Sequence, residues 1–194
     1  MLAQVASNPG RIHWEAAKHL VRYLKGTKNY RLTYGSSVEG LVGYSDASHG
    51  NEDLGWKSMS GYAFLIGGGA ISWSAKKQRV VALSTAESEY IAMTHAAKEL
   101  IWIRTFLSEV FRPLHYPSLL LANNQSAIIM AHYNTFHPRA KHIALPYHFI
   151  CDKVEDNTIM LNWVNSESNI ADIFTKLLDG RKTSTFAFGL GLHA

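Results

Sequence analysis

The feature that most constrains the fold is a change in residue pattern near Leu41. After it come three short runs, at residues 41–46, 60–67 and 70–75, that are rich in aromatic and branched side chains and punctuated by glycine. This composition predicts strands, and the glycines at 67–69 predict a hairpin between the second and third strands. Consecutive strands that are followed by helices have to form a sheet with helices packed on it.

A long helix is predicted over residues 83–111. It begins with a capping box, in which Ser84 is followed three residues later by Glu87. Its apolar positions recur at steps of three and four, as expected for a buried stripe. These positions are Met93, Ala96, Leu100, Ile103 and Leu107. Glu89 falls on the same stripe, whereas the capping box accounts for Glu87.

The remaining elements alternate between the two types. We predict a strand at 119–122, a short helix at 125–132, a helix at 147–155, a strand at 158–164 and a last helix from Asn169. The order predicts an α/β fold with a mixed sheet of about five strands flanked by helices.

Composition narrows the class of protein. The 194 residues are 47% hydrophobic and 18% charged, which is typical of a globular chain. The net charge of +4 permits a nucleic-acid partner. The single cysteine, Cys151, excludes an internal disulfide. No signal peptide or membrane-spanning run is recognised, so we expect an intracellular protein, cytoplasmic or nuclear, without a membrane partner.

Four polar residues stand at the ends of predicted core elements: Asp46, Glu89, Asn123 and Asp172. Each has a simpler structural explanation: Asp46 in a turn, Glu89 paired with a nearby donor, and Asn123 and Asp172 at helix starts. Taken together, carboxylates from separate elements favour Mg²⁺. Two such ions about 3.5–4 Å apart would clamp a phosphodiester undergoing displacement.

A resemblance rests on stretches that occur in one order from Asn8 to Lys176. They are "NPGRIHWEAAKHLVRYLKGT", "LVGYSDAS", "SGYAFLIGGGAISWSAKKQRVVALSTAESEYIA", "NNQSAI", "FHPRAKHIALPYHFICDKV" and "ADIFTK". They resemble the RNase H region, with the end of the reverse transcriptase, of the Pol polyprotein of copia-type LTR retrotransposons.

The resemblance implies an RNase H-like fold that hydrolyses the RNA strand of RNA–DNA hybrids with two Mg²⁺ or Mn²⁺ ions. The partners it implies are the hybrid and the rest of the Pol polyprotein. By matching motifs, Asp46 corresponds to the first family acid, in Y-S-D, and Glu89 to the second. Asn123 stands in place of the third, in C-D-N-Q, and Asp172 corresponds to the fourth, in A-D-x-x-T-K.

The sequence departs from the family at Asn123, where an amide replaces a carboxylate. An amide oxygen can bind Mg²⁺ but brings no negative charge, so we expect weak metal binding and strongly impaired cleavage. The family's H-I-D reads His142-Ile143-Ala144. His142 is expected near the active site, where it would assist product release.

Two basic runs are candidate phosphate contacts. They comprise Lys76, Lys77, Arg79, Arg139 and Lys141. The alternative is that both runs are solvated loops.

The predicted organisation has three parts. Residues 1–38 are a remnant of the reverse transcriptase C-terminal helix and linker, 39–180 form the RNase H-like domain, and 181–194 are a C-terminal tail. Besides an impaired nuclease, two other functions remain open: a non-catalytic nucleic-acid-binding remnant, and a genomic relic with no function.

Overall fold

A computed structural model describes residues 2–35, 40–51, 55–111, 113–132 and 144–194. The α-helices are α1 (Arg11–Gly26), α2 (Thr85–Val110), α3 (Gln125–His132), α4 (Ala144–Glu155) and α5 (Gly180–Gly189). The strands are β1 (Arg31–Leu32), β2 (Val42–Asn51), β3 (Lys57–Ile66), β4 (Gly69–Lys77), β5 (Ser118–Ala122), β6 (Ile159–Trp163) and β7 (Leu192–His193). Two 3₁₀ helices span Leu2–Val5 and Ile170–Phe174.

The main sheet has five strands in the order β4-β3-β2-β5-β6. β2, β3 and β4 pair antiparallel, whereas β5 is parallel to both β2 and β6. This confirms the predicted mixed sheet flanked by helices. β2 is the central strand, so residues near its end have a neighbouring strand on each side.

The first three strands run further than their patterns predicted. β2 continues to Asn51, and β3 begins at Lys57. The pairing register shifts between Ser48 and Asn51. A bulge lets polar residues extend a hairpin beyond the sheet without following strict alternation. The described residues 47–51 and 57–59, between the first two predicted strands, therefore form a bulged extension of the hairpin.

The larger core lies between the sheet and α2, α3 and α4. The predicted stripe of α2 is buried: Met93, Ala96 and Leu100 are inaccessible to solvent and Ile103 nearly so. Leu107 packs at the margin of this core. Phe64 of β3, Leu120 of β5 and Ile150 of α4 fill the space opposite the stripe.

A second core lies on the opposite face of the sheet. Ala63 and Ala70 pack there against Ile170, Phe186 and Leu190. The helix predicted from Asn169 is a short 3₁₀ helix. Residues 181–194, expected as a tail, form most of α5 and all of β7. β7 pairs antiparallel with β1, so these residues are packed on the domain.

The N-terminal helix α1 buries none of its residues. Its apolar side chains at helical spacing are exposed, with Ile12 82%, Leu20 48% and Leu24 56% accessible. The domain core therefore forms without α1. Within the described ranges, no helix has both the length and the apolar character of a membrane span.

Gly61 determines how closely the 3₁₀ helix Ile170–Phe174 approaches the sheet. A Cβ atom at Gly61 would lie 2.7 Å from Thr175 Cγ2 and 2.8 Å from Phe174 Cβ.

Gly61→Ala should therefore lower the free energy of unfolding by about 1–3 kcal/mol, as overpacking does. Urea denaturation measures the loss. Gly40→Ala is the control, because nothing lies within 4 Å of its added Cβ. Equal midpoints for the two variants would contradict the prediction.

Candidate acidic site

The centre of the site is the end of the β2–β5 pairing. The two strands are parallel, and Ser45 lies opposite Ala122. Asp46 and Asn123 are therefore the next residues on neighbouring strands. Asn123 Nδ2 donates a hydrogen bond to Asp46 Oδ1 at 3.2 Å and another to Ser166 Oγ at 3.3 Å. Asp46 is fully buried.

Asn169 attaches the 3₁₀ helix Ile170–Phe174 to the same strand end. Its buried side chain donates from Nδ2 to the Ser45 carbonyl at 2.9 Å. Its Oδ1 accepts from the Ala171 N–H at 3.3 Å and so caps the helix. This single side chain brings the first turn, and with it Asp172, next to Asp46.

Lys176 lies between the two aspartates. Its Nζ is 3.0 Å from Asp46 Oδ1 and 2.8 Å from Asp172 Oδ1. Thr175 Oγ1 donates to the other oxygen of Asp46, Oδ2. Both carboxylate oxygens of Asp46 are thus occupied by donors of the protein itself.

Glu89 completes the group from the first turns of α2 and is 4% exposed. Burial, and then the charge of Asp46, raise the pKa of Glu89 to about 8. The Ala47 N–H donates to it and opposes this shift, as does the charge of Lys176. Burial also raises the pKa of Asp172 to about 6, with Asp46 adding to the effect. Both shifts arise first from removal of the carboxyl groups from water, and repulsion from neighbouring carboxylates adds to them.

The helix caps fall on other residues. Asn124 Oδ1 accepts from the Ala127 N–H at 2.9 Å and caps α3. Ser84 accepts from the Glu87 N–H at 3.2 Å, as the capping box predicted. The Glu87 carboxylate accepts from the Leu83 N–H at 2.9 Å. Glu87 therefore has a structural role at the start of α2, and Asn123 is left to face the acidic residues.

The oxygen atoms of this site are of the kind that a hard divalent cation binds, but few of them are available as ligands. Glu89 Oε2 and Asn123 Oδ1 are buried without a hydrogen-bond partner, so each could accept an ion. Within the described part of the chain, no three Asp, Glu, His or Cys side chains form a metal-binding group. Lys176 holds Asp46 and Asp172 instead. The residues fit one ion that displaces this ammonium and lack the charge to hold two.

The predicted basic residues lie beside this group. Lys76 is opposite Ser60, which in turn is opposite Ala47, the neighbour of Asp46. Lys77 ends β4, and Arg79 follows it; all three basic side chains are exposed. The predictions for Arg139, Lys141 and His142 fall outside the described residues.

Sequence reasoning did not assign a role to Asn169, Thr175 or Lys176. A signal for Lys176 was present, because a residue four positions after Asp172 is its neighbour on a helix. Thr175 and Lys176 also end the "ADIFTK" stretch. Nothing in the sequence indicated that Asn169 would reach back to Ser45.

Comparisons with known proteins show which sequences and structures this chain is similar to. No protein-family model matches the chain. The retrovirus-related Pol polyprotein from transposon TNT 1-94 of Nicotiana tabacum is 39% identical over the whole chain. That from transposon RE2 of Arabidopsis thaliana is 34% identical over 98% of it. The chain spans only 14% and 13% of these two polyproteins.

Two further similarities differ in extent. A secreted RxLR effector protein 161 of Plasmopara viticola is 44% identical over 104 residues, which are 53% of this chain and 73% of that protein. Among solved structures, LC11-RNase H1 in complex with RNA/DNA hybrid has a TM-score of 0.48 at 16% identity, covering 70% of this chain and 93% of that one. The full-length matches in sequence are what assign the family. The chain belongs to the retrovirus-related Pol polyproteins of copia-type transposons and matches one segment of them.

Proposed function

We propose that this domain binds RNA–DNA hybrid and hydrolyses its RNA strand with an activity that Asn123 and Lys176 hold at a low level. The observation that carries the proposal is the occupation of Asp46 by donors of the chain itself. Asn123 Nδ2 and Lys176 Nζ both contact Oδ1, and Thr175 contacts Oδ2. A carboxylate in place of the Asn123 amide would repel Asp46, because it has no hydrogen to donate to it.

Asp46, Glu89 and Asp172 are the residues that would hold a divalent ion, with Asn123 Oδ1 as a neutral fourth donor. A bound ion would polarise the scissile phosphate and lower the pKa of an attacking water. The protein would contribute the oxygen ligands, which β2, α2 and the 3₁₀ helix Ile170–Phe174 bring together. Lys176 has to release both aspartates for this.

The net charge of the site limits how tightly it can bind divalent ions. Asn123 is neutral, Lys176 is positive, and a bound ion would have to displace the proton that the raised pKa of Glu89 favours. Two divalent ions bring four positive charges, which three carboxylates, those of Asp46, Glu89 and Asp172, cannot balance next to an ammonium. We therefore expect weak Mg²⁺ binding and cleavage that is lower by orders of magnitude than with a third acid.

A second candidate is hybrid binding without cleavage. Lys76, Lys77 and Arg79 support it, because in the described part of the chain none of them forms an ion pair with a carboxylate. Phosphate contacts supply most of the affinity of non-specific nucleic-acid binding. The same basic residues would serve either function, so cleavage has to be measured separately from binding.

The domain's place in a longer chain is also a proposal. We infer that residues 1–38 derive from the end of a reverse transcriptase and that the nuclease-like body begins near residue 39. In this view the rest of the Pol polyprotein would be its partner. The packing of α5 on Ala63 and Ala70 supports a body that extends past residue 180.

Asn123→Asp should raise hybrid cleavage by roughly 10²-fold, in the range of single charged groups in active sites. The new carboxylate adds a charged ligand and loses the hydrogen bond to Asp46. The measurement is the initial rate on a labelled RNA–DNA hybrid with Mg²⁺ or Mn²⁺.

Asn124→Asp is the matched control for this variant. It adds the same charge one residue away, where an aspartate still caps α3. Asp46→Asn in either background should abolish cleavage. If the unaltered chain already cleaves as fast as Asn123→Asp, the proposed impairment is wrong.

The pKa of Glu89 predicts a pH-dependent stability. Folded protein keeps the Glu89 proton up to about pH 8, whereas the unfolded chain releases it near the ordinary glutamate pKa of 4.5. The free energy of unfolding should therefore fall as pH rises through this window. Glu89→Gln removes this dependence, so it should gain stability relative to the unaltered protein between pH 5 and pH 8. Urea denaturation in EDTA measures this, with the exposed Glu155→Gln as control. Parallel curves for Glu89→Gln and the unaltered protein would contradict the prediction.

A further inference from the structure

A small polar pocket lies between the edge strand β4 and α2, away from the acidic residues. Its volume is about 210 Å³. It is lined by Ser60, Tyr62, Ser74, Lys76, His95 and Lys98. None of these residues takes part in the hydrogen bonds around Asp46.

The strand register explains why these residues meet. Ser60 is opposite Lys76, and Tyr62 is opposite Ser74, so two cross-strand pairs stand side by side on the face towards α2. His95 and Lys98 are three residues apart on α2 and therefore neighbours on its surface. Hydroxyl groups form one wall of the pocket, and cationic side chains form its opening.

The pocket carries positive charge that carboxylates do not neutralise. Burial lowers the pKa of His95, and the positive charges of Lys98, Lys76 and Arg79 lower it further. In the described residues, none of these three cations forms an ion pair. Glu99, the next residue after Lys98, accepts a hydrogen bond from Ser72 at 2.6 Å and also interacts with Tyr62. An anion would reduce the repulsion among the cations.

Hydroxyl donors are available as well. Ser60 Oγ accepts from Gln78 Nε2 at 2.9 Å, so its own hydrogen is free to donate. Ser60 is 3% exposed, so this donor is shielded from solvent. A tetrahedral oxyanion with several acceptor oxygens suits a buried hydroxyl beside the cationic side chains that line the same pocket.

We propose that this pocket binds a backbone phosphate of the nucleic acid, separately from the acidic site. The proposal rests on the hybrid-binding function proposed above and deepens it. Ala47, Ser60 and Lys76 are adjacent across three strands, so the backbone of Lys76 lies about 10 Å from that of Ala47, the neighbour of Asp46, at the usual strand spacing. Each nucleic-acid strand carries a phosphate about every 3.4 Å of its axis. One duplex therefore reaches both sites.

The test compares two lysines in similar surroundings. Lys98 Nζ lies 5.8 Å from the centre of the Phe149 ring, and Lys182 Nζ lies 5.7 Å from that of Phe186. Lys182 is on α5, on the opposite face of the sheet. Lys98→Met should weaken binding of a labelled hybrid several-fold and reduce the salt slope of log Kd by about one. Lys182→Met should leave both unchanged.

Binding is measured by fluorescence anisotropy on the full 194-residue chain in EDTA over a series of KCl concentrations, so cleavage plays no part. Lys76→Met is the second pocket variant, should Lys98→Met fail to fold. An equal salt slope for the pocket variant and Lys182→Met would overturn the proposal.

Inorganic phosphate distinguishes the two sources of this anion. Titration at constant ionic strength should shift the His95 ring resonances in NMR spectra and raise the pKa of His95. If phosphate shifts the His95 resonances but Lys98→Met does not change hybrid binding, the pocket binds free phosphate and the proposed backbone contact is wrong. If Lys98 matters for binding and no variant cleaves the hybrid, the pocket stands and the nuclease function fails.

Discussion

The parallel pairing of β2 with β5 is the constraint on which the site depends. It places Ser45 beside Ala122, so whatever follows each strand meets at one point. Glu89 reaches that point because α2 packs its apolar stripe on the same two strands. Asn169 adds the fourth element through its bond to the Ser45 carbonyl. The chemistry of the site therefore depends on which side chains stand at these positions, because the scaffold brings them together in any case.

An amide at Asn123 changes the role of its neighbour as well as its own. Asp46 is buried and needs compensation, and here Asn123, Thr175 and Lys176 provide it. A buried carboxylate that is already satisfied has less to gain from a metal ion. The amide at this position therefore favours a closed network of polar contacts around Asp46.

Helices and strands with a regular pattern of apolar residues could be predicted from the sequence. Elements that depend on tertiary contacts could not. The stripe of α2 and the hairpin at residues 67–69 follow from local pattern, and both were predicted. α5 lacks a clear apolar stripe, and its packing on Ala63 and Ala70 becomes visible only in the folded chain. The same holds for Lys176, whose two partners come from different elements. The sequence did not indicate a pocket at His95, because the strand residues that line the pocket with it are distant from it in sequence.

The pairing of β1 with β7 affects how the chain folds as it is made. Thr33 N donates to the Gly191 carbonyl at 2.8 Å, and Ala70 N donates to that of Leu190 at 2.9 Å. These contacts join segments from opposite ends of the chain, so they close a very long loop. Contacts at such separation slow folding, and in the described part of the chain β1 pairs with no strand that is synthesised before β7. The second core is thus completed later than the sheet and α2, which are able to assemble first.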